Sequence, residues 1–86
     1  MEITNDFKNE ILTNSKVIEK IEVLYKKNEK FSGKLSMVKD EPFEIVIYDD
    51  DKDKAEAEHL VYFGRAVEIT LYYNDGTIKV FKDIID

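Results

Sequence analysis

The stretch AVEITLYYNDGTIKVFK, residues 66–82, decides the fold. Its turn, Asp75-Gly76, is typical of a tight hairpin because both residues tolerate the positive φ angles that such a turn requires. On either side of the turn, apolar residues occupy alternate positions, as they do in a strand with one buried face. The stretch therefore predicts two antiparallel strands, over 66–73 and 77–82.

Shorter β-like runs precede this hairpin. They cover residues 34–38, 43–48 and 60–63, and Pro42 marks a turn between the first two. Gly64 predicts a bend or a bulge just before the hairpin. The middle and the end of the chain therefore supply several short strands joined by short connections.

The N-terminal third carries two overlapping patterns. Five apolar residues follow the spacing of one face of an amphipathic helix: Phe7, Ile11, Ile18, Ile21 and Tyr25. The apolar residues at 21, 23 and 25 also follow the two-residue period of a strand. We expect a helix over 5–14, with Asn5 or Asp6 as its N-cap, and leave residues 17–27 open between helix and strand.

Together these elements predict an α+β fold in a single domain, residues 1–86. An N-terminal helix precedes a strongly bent antiparallel sheet or small barrel of four to six strands, which ends in a β-hairpin. A chain of 86 residues has room for one modest core and little room for a deep catalytic pocket. The expected core consists of apolar side chains from every element: Phe7, Ile11, Leu35, Val38, Ile45, Ile47, Val61, Val67, Ile69, Leu71, Ile78 and Val80.

The net charge of −6 is unevenly distributed along the chain. Residues 1–39 hold eight Lys and six acids, and residues 60–86 hold three basic residues and four acids. Residues 40–59 hold nine acids and two Lys, which gives −7. Such a segment repels nucleic acid and attracts a basic protein surface. Residues 49–58 are predicted to be a loop, called the acidic loop below, and one helical turn over 54–59 is left open.

The residue types needed for catalysis or metal binding are scarce. The chain has no Cys and one histidine, His59, so thiol chemistry and disulfides are excluded. The aspartates of the acidic loop imitate the start of a calcium-binding loop, but Lys54 replaces its glycine and Leu60 its final glutamate. We interpret His59 as a strand-edge or surface histidine, and we expect no enzymatic activity, no cofactor and no metal.

The sequence contains no evident membrane or export segment. The N-terminus, MEITNDFKNE, lacks the apolar stretch of a signal peptide. The longest apolar runs, residues 45–48 and 60–63, are far shorter than the ~20 residues that span a bilayer. We therefore expect a cytoplasmic protein that does not contact a membrane.

Residues 21–69 resemble the Sm and Sm-like small barrels. KFSGKL, residues 30–35, followed by Asp40, is similar to the first motif of that family, in which a glycine lets a strand bend sharply. YFG, residues 62–64, is similar to the second motif, an arginine–glycine pair. The resemblance implies a bent small barrel, of this or the SH3-like kind, that forms oligomers and acts as a regulatory or RNA-associated module.

Two departures from the family pattern concern RNA binding. Glu44 occupies the position nearest to the family's base-contacting asparagine, and Phe63 replaces the arginine before the second glycine. A carboxylate in place of a base-reading amide, within a segment of charge −7, argues against RNA binding. The resemblance therefore supports a bent barrel rather than the family's activity.

The leading functional hypothesis is a non-enzymatic protein-binding module whose acidic surface docks on a basic, nucleic-acid-binding protein. It would act there as a nucleic-acid mimic and an inhibitor. In size, acidity and Lys/Asn/Ile-rich composition, the chain is similar to small phage anti-defence proteins, including anti-CRISPR proteins. The predicted partner-binding residues are six carboxylates and two aromatic neighbours: Asp49, Asp50, Asp51, Asp53, Glu56, Glu58, Tyr48 and Tyr62.

Two alternatives to this hypothesis stay open. In the first, the acidic loop is a solvated excursion that only improves solubility. In the second, the chain is an Sm-like or SH3-like barrel that forms a homo-oligomer through its edge strands. Direct binding of nucleic acid is not expected under the leading hypothesis, because the acids outnumber the basic residues in the middle of the chain.

Overall fold

The computed structural model describes residues 2–82, in which one helix packs against an open six-stranded sheet and confirms the predicted α+β class. The helices and strands are α1 (Asn5–Asn14), β1 (Ile18–Tyr25), β2 (Lys30–Lys39), β3 (Glu44–Tyr48), α2 (Lys54–Ala57), β4 (Glu58–Leu60), β5 (Ala66–Tyr73) and β6 (Ile78–Lys82). All neighbouring strands are antiparallel, in the order β4-β3-β2-β1-β5-β6. Short 3₁₀ turns follow β1 and precede β5.

The helix α1 has the predicted bounds, but its cap is one residue earlier than expected. The Thr4 hydroxyl accepts a hydrogen bond from the Phe7 backbone N–H at 3.1 Å, so Thr4 is the N-cap instead of Asn5 or Asp6. Phe7 and Ile11, one turn apart, are buried. They fix α1 on one face of the sheet, called the inner face; the opposite face is called the outer face.

Residues 17–27, which the sequence left open, form the strand β1 and a 3₁₀ turn. β1 is a central strand, since β2 pairs with one side of it and β5 with the other. Ile21 and Val23 are fully buried on the inner face. The hydrogen bonds to β2 and β5 determine that this segment is a strand, although its apolar spacing also suits a helix. The local sequence pattern does not reveal these long-range bonds.

The core contains most of the expected side chains. Phe7, Ile11, Ile45, Ile47, Val61, Ile69 and Leu71 are buried as predicted, and Leu35 and Val38 pack at the edge of the core. Val67 is only half-buried. Further buried side chains, most of them from β1 and β5, were not predicted: Ile18, Ile21, Val23, Tyr25, Ala57, Ala66 and Tyr73.

The prediction that Ile78 and Val80 belong to the core is wrong. Their side chains are 57% and 49% exposed. The hairpin register sets Phe81 opposite the buried Ile69, so Phe81 packs against the core instead. Because side chains alternate along a strand, Ile78 and Val80 must then lie on the outer face.

The predicted strand over 60–63 is also wrong in its bounds. β4 ends at Leu60, and residues 63–65 form a 3₁₀ turn. The Tyr62 backbone N–H donates to the Tyr25 hydroxyl at 3.2 Å, and the Arg65 N–H donates to the Tyr62 carbonyl at 3.0 Å. These bonds to a side chain and to a local turn replace the ladder that a longer strand would need.

The pairing partner of β2 changes at Gly33, in the middle of the strand, and we infer that the sheet bends there. Residues 30–33 of β2 pair with β1, and residues 34–39 pair with β3. A Cβ atom at Gly33 would overlap the Tyr48 carbonyl oxygen and lie 2.6 Å from the Tyr48 carbonyl carbon. Only glycine allows the end of β3 to approach β2 this closely.

Replacing Gly33 therefore tests the bend. We expect Gly33→Ala to lower the free energy of unfolding by about 2 kcal/mol, because a rigid backbone must shift to admit the methyl group. Urea denaturation measures this loss. Gly64→Ala is the matched control, because a Cβ at Gly64 meets nothing within 4 Å. Equal stability of the two variants would contradict the role given to Gly33.

A polar cluster around Glu10 attaches α1 to the end of the sheet. The Tyr73 hydroxyl donates to the Glu10 carboxylate, which also accepts from Asn14 Nδ2 at 2.9 Å and pairs with Lys79 Nζ at 3.0 Å. The hydrogen bond from Tyr73 above all, and then those from Lys79 and Asn14, hold the pKa of Glu10 below its usual value. One carboxylate thus joins α1 to both strands of the C-terminal hairpin.

The Glu10 cluster predicts a pH-dependent contribution to stability. We expect Glu10→Gln to lower the free energy of unfolding by about 1 kcal/mol at pH 7, since it weakens charged hydrogen bonds. Because the pKa of Glu10 is lowered by folding, this contribution is fully present when the pH is above 4.5, the ordinary pKa of a glutamate, and it is lost as the pH falls further. Denaturation at pH 7 and pH 3 should show the difference from wild type shrinking. Glu41→Gln, in an exposed turn, should show no difference at either pH.

Candidate functional site

The acidic loop borders an open groove of about 510 Å³ on the outer face of the sheet. The groove is lined by residues from β1, β2, β5 and the end of β3: Glu19, Lys20, Ser32, Gly33, Lys34, Tyr48, Asp49, Asp50, Asp51 and Tyr72. The bend at Gly33 places the end of β3 and the start of the acidic loop beside these outer-face side chains. The groove therefore combines carboxylates, two lysines and two tyrosines.

The acidic loop is anchored at both ends. The Asp49 N–H donates to the Ala57 carbonyl at 2.9 Å, and the Asp49 carboxylate accepts from the Asp51 N–H at 3.0 Å. The Glu56 N–H donates to the Asp53 carbonyl at 2.8 Å, which closes the single turn of α2. Ala57 is fully buried. The loop is thus a folded part of the domain, with one short helical turn within the range predicted from sequence.

The six predicted carboxylates divide into two groups. Asp49 caps the turn of its own loop, and Asp50 pairs with Lys34 at 2.9 Å and raises the pKa of that lysine. The other four are exposed and have no salt-bridge partner among residues 2–82: Asp51, Asp53, Glu56 and Glu58. These four are called the free carboxylates below. Two charges therefore serve the fold, and four remain available to a ligand.

The two predicted tyrosines lie in different places. Tyr48 lines the groove and stands opposite Glu58 in the β3–β4 register. Tyr62 is exposed beside His59, with the two rings 5.8 Å apart and edge-on. Since His59 pairs with the buried Ile47, its side chain leaves β4 on the face opposite to Glu58. Tyr48 therefore joins the acidic loop, whereas Tyr62 belongs to a separate cluster.

That cluster centres on His59, which lies on the edge strand β4 as the sequence suggested. Its ring stacks on Phe31 with centroids 3.9 Å apart, and its Nε2 atom shares a hydrogen bond with the Tyr25 hydroxyl. Lys52 Nζ lies 4.0 Å from the centre of the Phe31 ring. Burial lowers the pKa of His59, and the charges of Lys52 and Arg65 lower it further. At pH 7, His59 is therefore a neutral imidazole packed among aromatic rings.

The chain's single histidine makes this environment directly measurable. We expect the pKa of His59 by NMR to lie below 6.5, so that protonation favours the unfolded state and stability falls as the pH drops below about 6.5. Lys52→Ala should raise the pKa of His59, because it removes a nearby positive charge. Lys54→Ala, in the same loop, is the control and should leave it unchanged. Equal shifts in both variants would refute the assignment.

Sequence reasoning missed two parts of this surface. Lys20, Lys34 and Tyr72 enter the groove from strands that are far apart in sequence, and only the sheet register shows that they meet. The contact between Tyr25 and His59 joins residues 34 positions apart. The alternation of β1 was the available signal for Tyr25, since it places that side chain on the buried face.

In the part of the chain that it describes, the structure shows an open groove beside the acidic loop and no assembled metal site. Within residues 2–82, no three His, Asp or Glu side chains come together as metal ligands. No helix in that range is long and apolar enough to cross a bilayer. No protein-family model, curated protein or solved structure matches the chain. Function must therefore be argued from the groove and the acidic loop themselves.

Proposed function

We propose that the chain is a non-enzymatic protein-binding module whose acidic loop docks on a basic surface of a partner protein. The free carboxylates, exposed on a loop that the fold holds in place, are the observation that carries this proposal. A carboxylate that already has an internal cation has little to offer a partner. Within residues 2–82, only Asp50 of the six has a cation and Asp49 caps its own turn, so four carboxylates have neither commitment, which favours an intermolecular role.

Anchoring of the loop supports binding over simple solubility. A flexible acidic loop would lose conformational entropy when it docks, at a cost of about 0.5–1.5 kcal/mol for each immobilised side chain. Here the buried Ala57 and the bond from Asp49 to its carbonyl hold the loop before any partner arrives. The loop can therefore present its carboxylates with less ordering cost than a free excursion would.

The groove supplies an aromatic complement to this charge. Tyr48 and Tyr72 line it, and Lys20 already places its ammonium group 5.1 Å from the Tyr72 ring centre. A cation over a tyrosine face and a cation beside an aspartate are both arrangements that an arginine or lysine of a partner would adopt. We propose that the partner's basic surface is one that otherwise binds nucleic-acid phosphates, so that docking inhibits it by mimicry in the cytoplasm.

A charge-matched pair of variants tests the proposal. The loop variant carries Asp51→Asn, Asp53→Asn, Glu56→Gln and Glu58→Gln. The control removes four carboxylates elsewhere, through Glu2→Gln, Asp6→Asn, Asp40→Asn and Glu41→Gln. Each changes the net charge by +4, so a nonspecific effect of net charge weakens both variants equally.

The measurement is the affinity for a partner captured on the wild-type protein, determined at several salt concentrations. We expect the loop variant to bind at least about fourfold more weakly, since each of the four exposed ion pairs contributes about 0.2–1 kcal/mol. Its affinity should also depend less on salt. The control variant should bind like wild type. Equal affinity of all three proteins would refute the proposal, and nucleic acid should compete with the wild-type chain for the partner.

A further inference from the structure

The strand β6 forms one edge of the sheet, and the side chain of its Ile78 is 57% exposed. In residues 2–82, no strand pairs with the edge of β6 that faces away from β5. Ile78 and Val80 stand opposite Tyr72 and Thr70 on the outer face. An exposed strand edge with apolar side chains is a template for pairing with another strand, and natural proteins usually protect it with charge.

The backbone of β6 is arranged for such pairing. The Tyr73 N–H donates to the Thr77 carbonyl at 2.9 Å, which identifies residues 73 and 77 as a hydrogen-bonded pair. Alternation along the ladder then directs the backbone groups of Lys79 and Phe81 toward β5. The N–H and C=O groups of Ile78, Val80 and Lys82 point away from the sheet.

The charges that would normally protect this edge are engaged within the protomer. Lys79 pairs with Glu10 at 3.0 Å, and Lys82 pairs with Glu68 at 3.7 Å. In a chain of net charge −6, β6 and its paired acids form an electrically balanced edge. Two copies can therefore pair along residues 78–82 without bringing an unpaired lysine of these strands into contact.

The apolar surface is a narrow stripe along this edge. Beyond β5, the outer face of β1 carries Lys20 and Glu22, and Lys30 of β2 pairs with Glu22 at 3.5 Å. A second layer packed over the whole face would have to bury these charges, which is costly. Pairing at the edge covers Ile78 and Val80 and leaves the charges in water, so an edge-to-edge partner fits the stripe better than a face-on one.

We propose that two copies of the chain associate through antiparallel pairing of their β6 strands, with a two-fold axis at Val80. In this register Val80 faces Val80 of the second copy, and Ile78 faces Lys82, whose charge Glu68 already balances. The free backbone groups of Ile78, Val80 and Lys82 then pair with one another. The same patch serves both partners, as a two-fold interface requires. This proposal does not depend on the proposed function.

The first test measures the mass of the full chain by sedimentation equilibrium. We expect the mass to rise from that of the 10.1 kDa monomer toward twice that value as the concentration increases from about 1 µM to about 1 mM. Val80→Lys should keep the chain monomeric over this range. Met37→Lys, at a residue of similar exposure on β2, should dimerise like wild type. If the wild-type chain stays monomeric over this range, the proposal is wrong, and any strand that pairs with β6 must come from a different protein.

The second test fixes the register and does not depend on the lysine variants folding. The chain has no cysteine, so single-cysteine variants report unambiguously. Facing Val80→Cys residues would have Cα atoms about 5.5 Å apart, within disulfide reach. Ile78→Cys residues would lie about 14 Å apart. We expect oxidation to give covalent dimers at position 80 and few at 78. Equal cross-linking at both positions, or none at 80, overturns the proposal.

Discussion

The close approach of the Tyr48 carbonyl to Gly33 is the constraint on which both the fold and the candidate site depend. Because Gly33 lacks a side chain, β2 can pair with β1 through its first half and with β3 through its second half. The end of β3 is thereby brought over the outer face of the sheet. The acidic loop starts there, so its first carboxylates face Lys20 and Tyr72 from strands far away in sequence. Without the bend, the same aspartates would extend from a flat sheet with no groove beside them.

The sequence predicted those elements whose signals are local. The helix α1 and the strand β5 have the expected bounds, because helical periodicity and an Asp-Gly turn act within a few residues. The sequence left β1 undecided between helix and strand, because its apolar spacing suits both. Pairing with two strands that are distant in the sequence makes it a strand. Ile78 and Val80 were misassigned for a related reason. Their alternation was recognised, but the face it selects depends on the register with β5, in which Phe81 opposes Ile69.

The sequence locates the residues of the candidate site but does not show how they are arranged in space. Counting acids locates the loop, but it does not distinguish Asp50, which pairs with Lys34, from Asp51, which has no ion-pair partner in the described chain. That distinction requires β2 and the loop to be adjacent, which follows from the bend. Tyr62 is a second residue whose surroundings depend on the fold. It was grouped with the acids because of its place in the sequence, whereas its backbone bond to Tyr25 draws it into the His59 cluster.

Tyr72 connects the two surfaces proposed here. It lines the groove on one side and stands opposite Ile78 on the other, so the groove and the β6 edge adjoin. Antiparallel pairing of two β6 strands would continue one outer face across both copies, with a groove on each side of the axis. Such a dimer would bind a two-fold or repetitive basic partner at both grooves, which strengthens the overall affinity without new contacts. Salt would separate the two proposed associations. It would weaken docking of the free carboxylates on cations, whereas it would screen the repulsion between two chains of charge −6 and so favour the dimer.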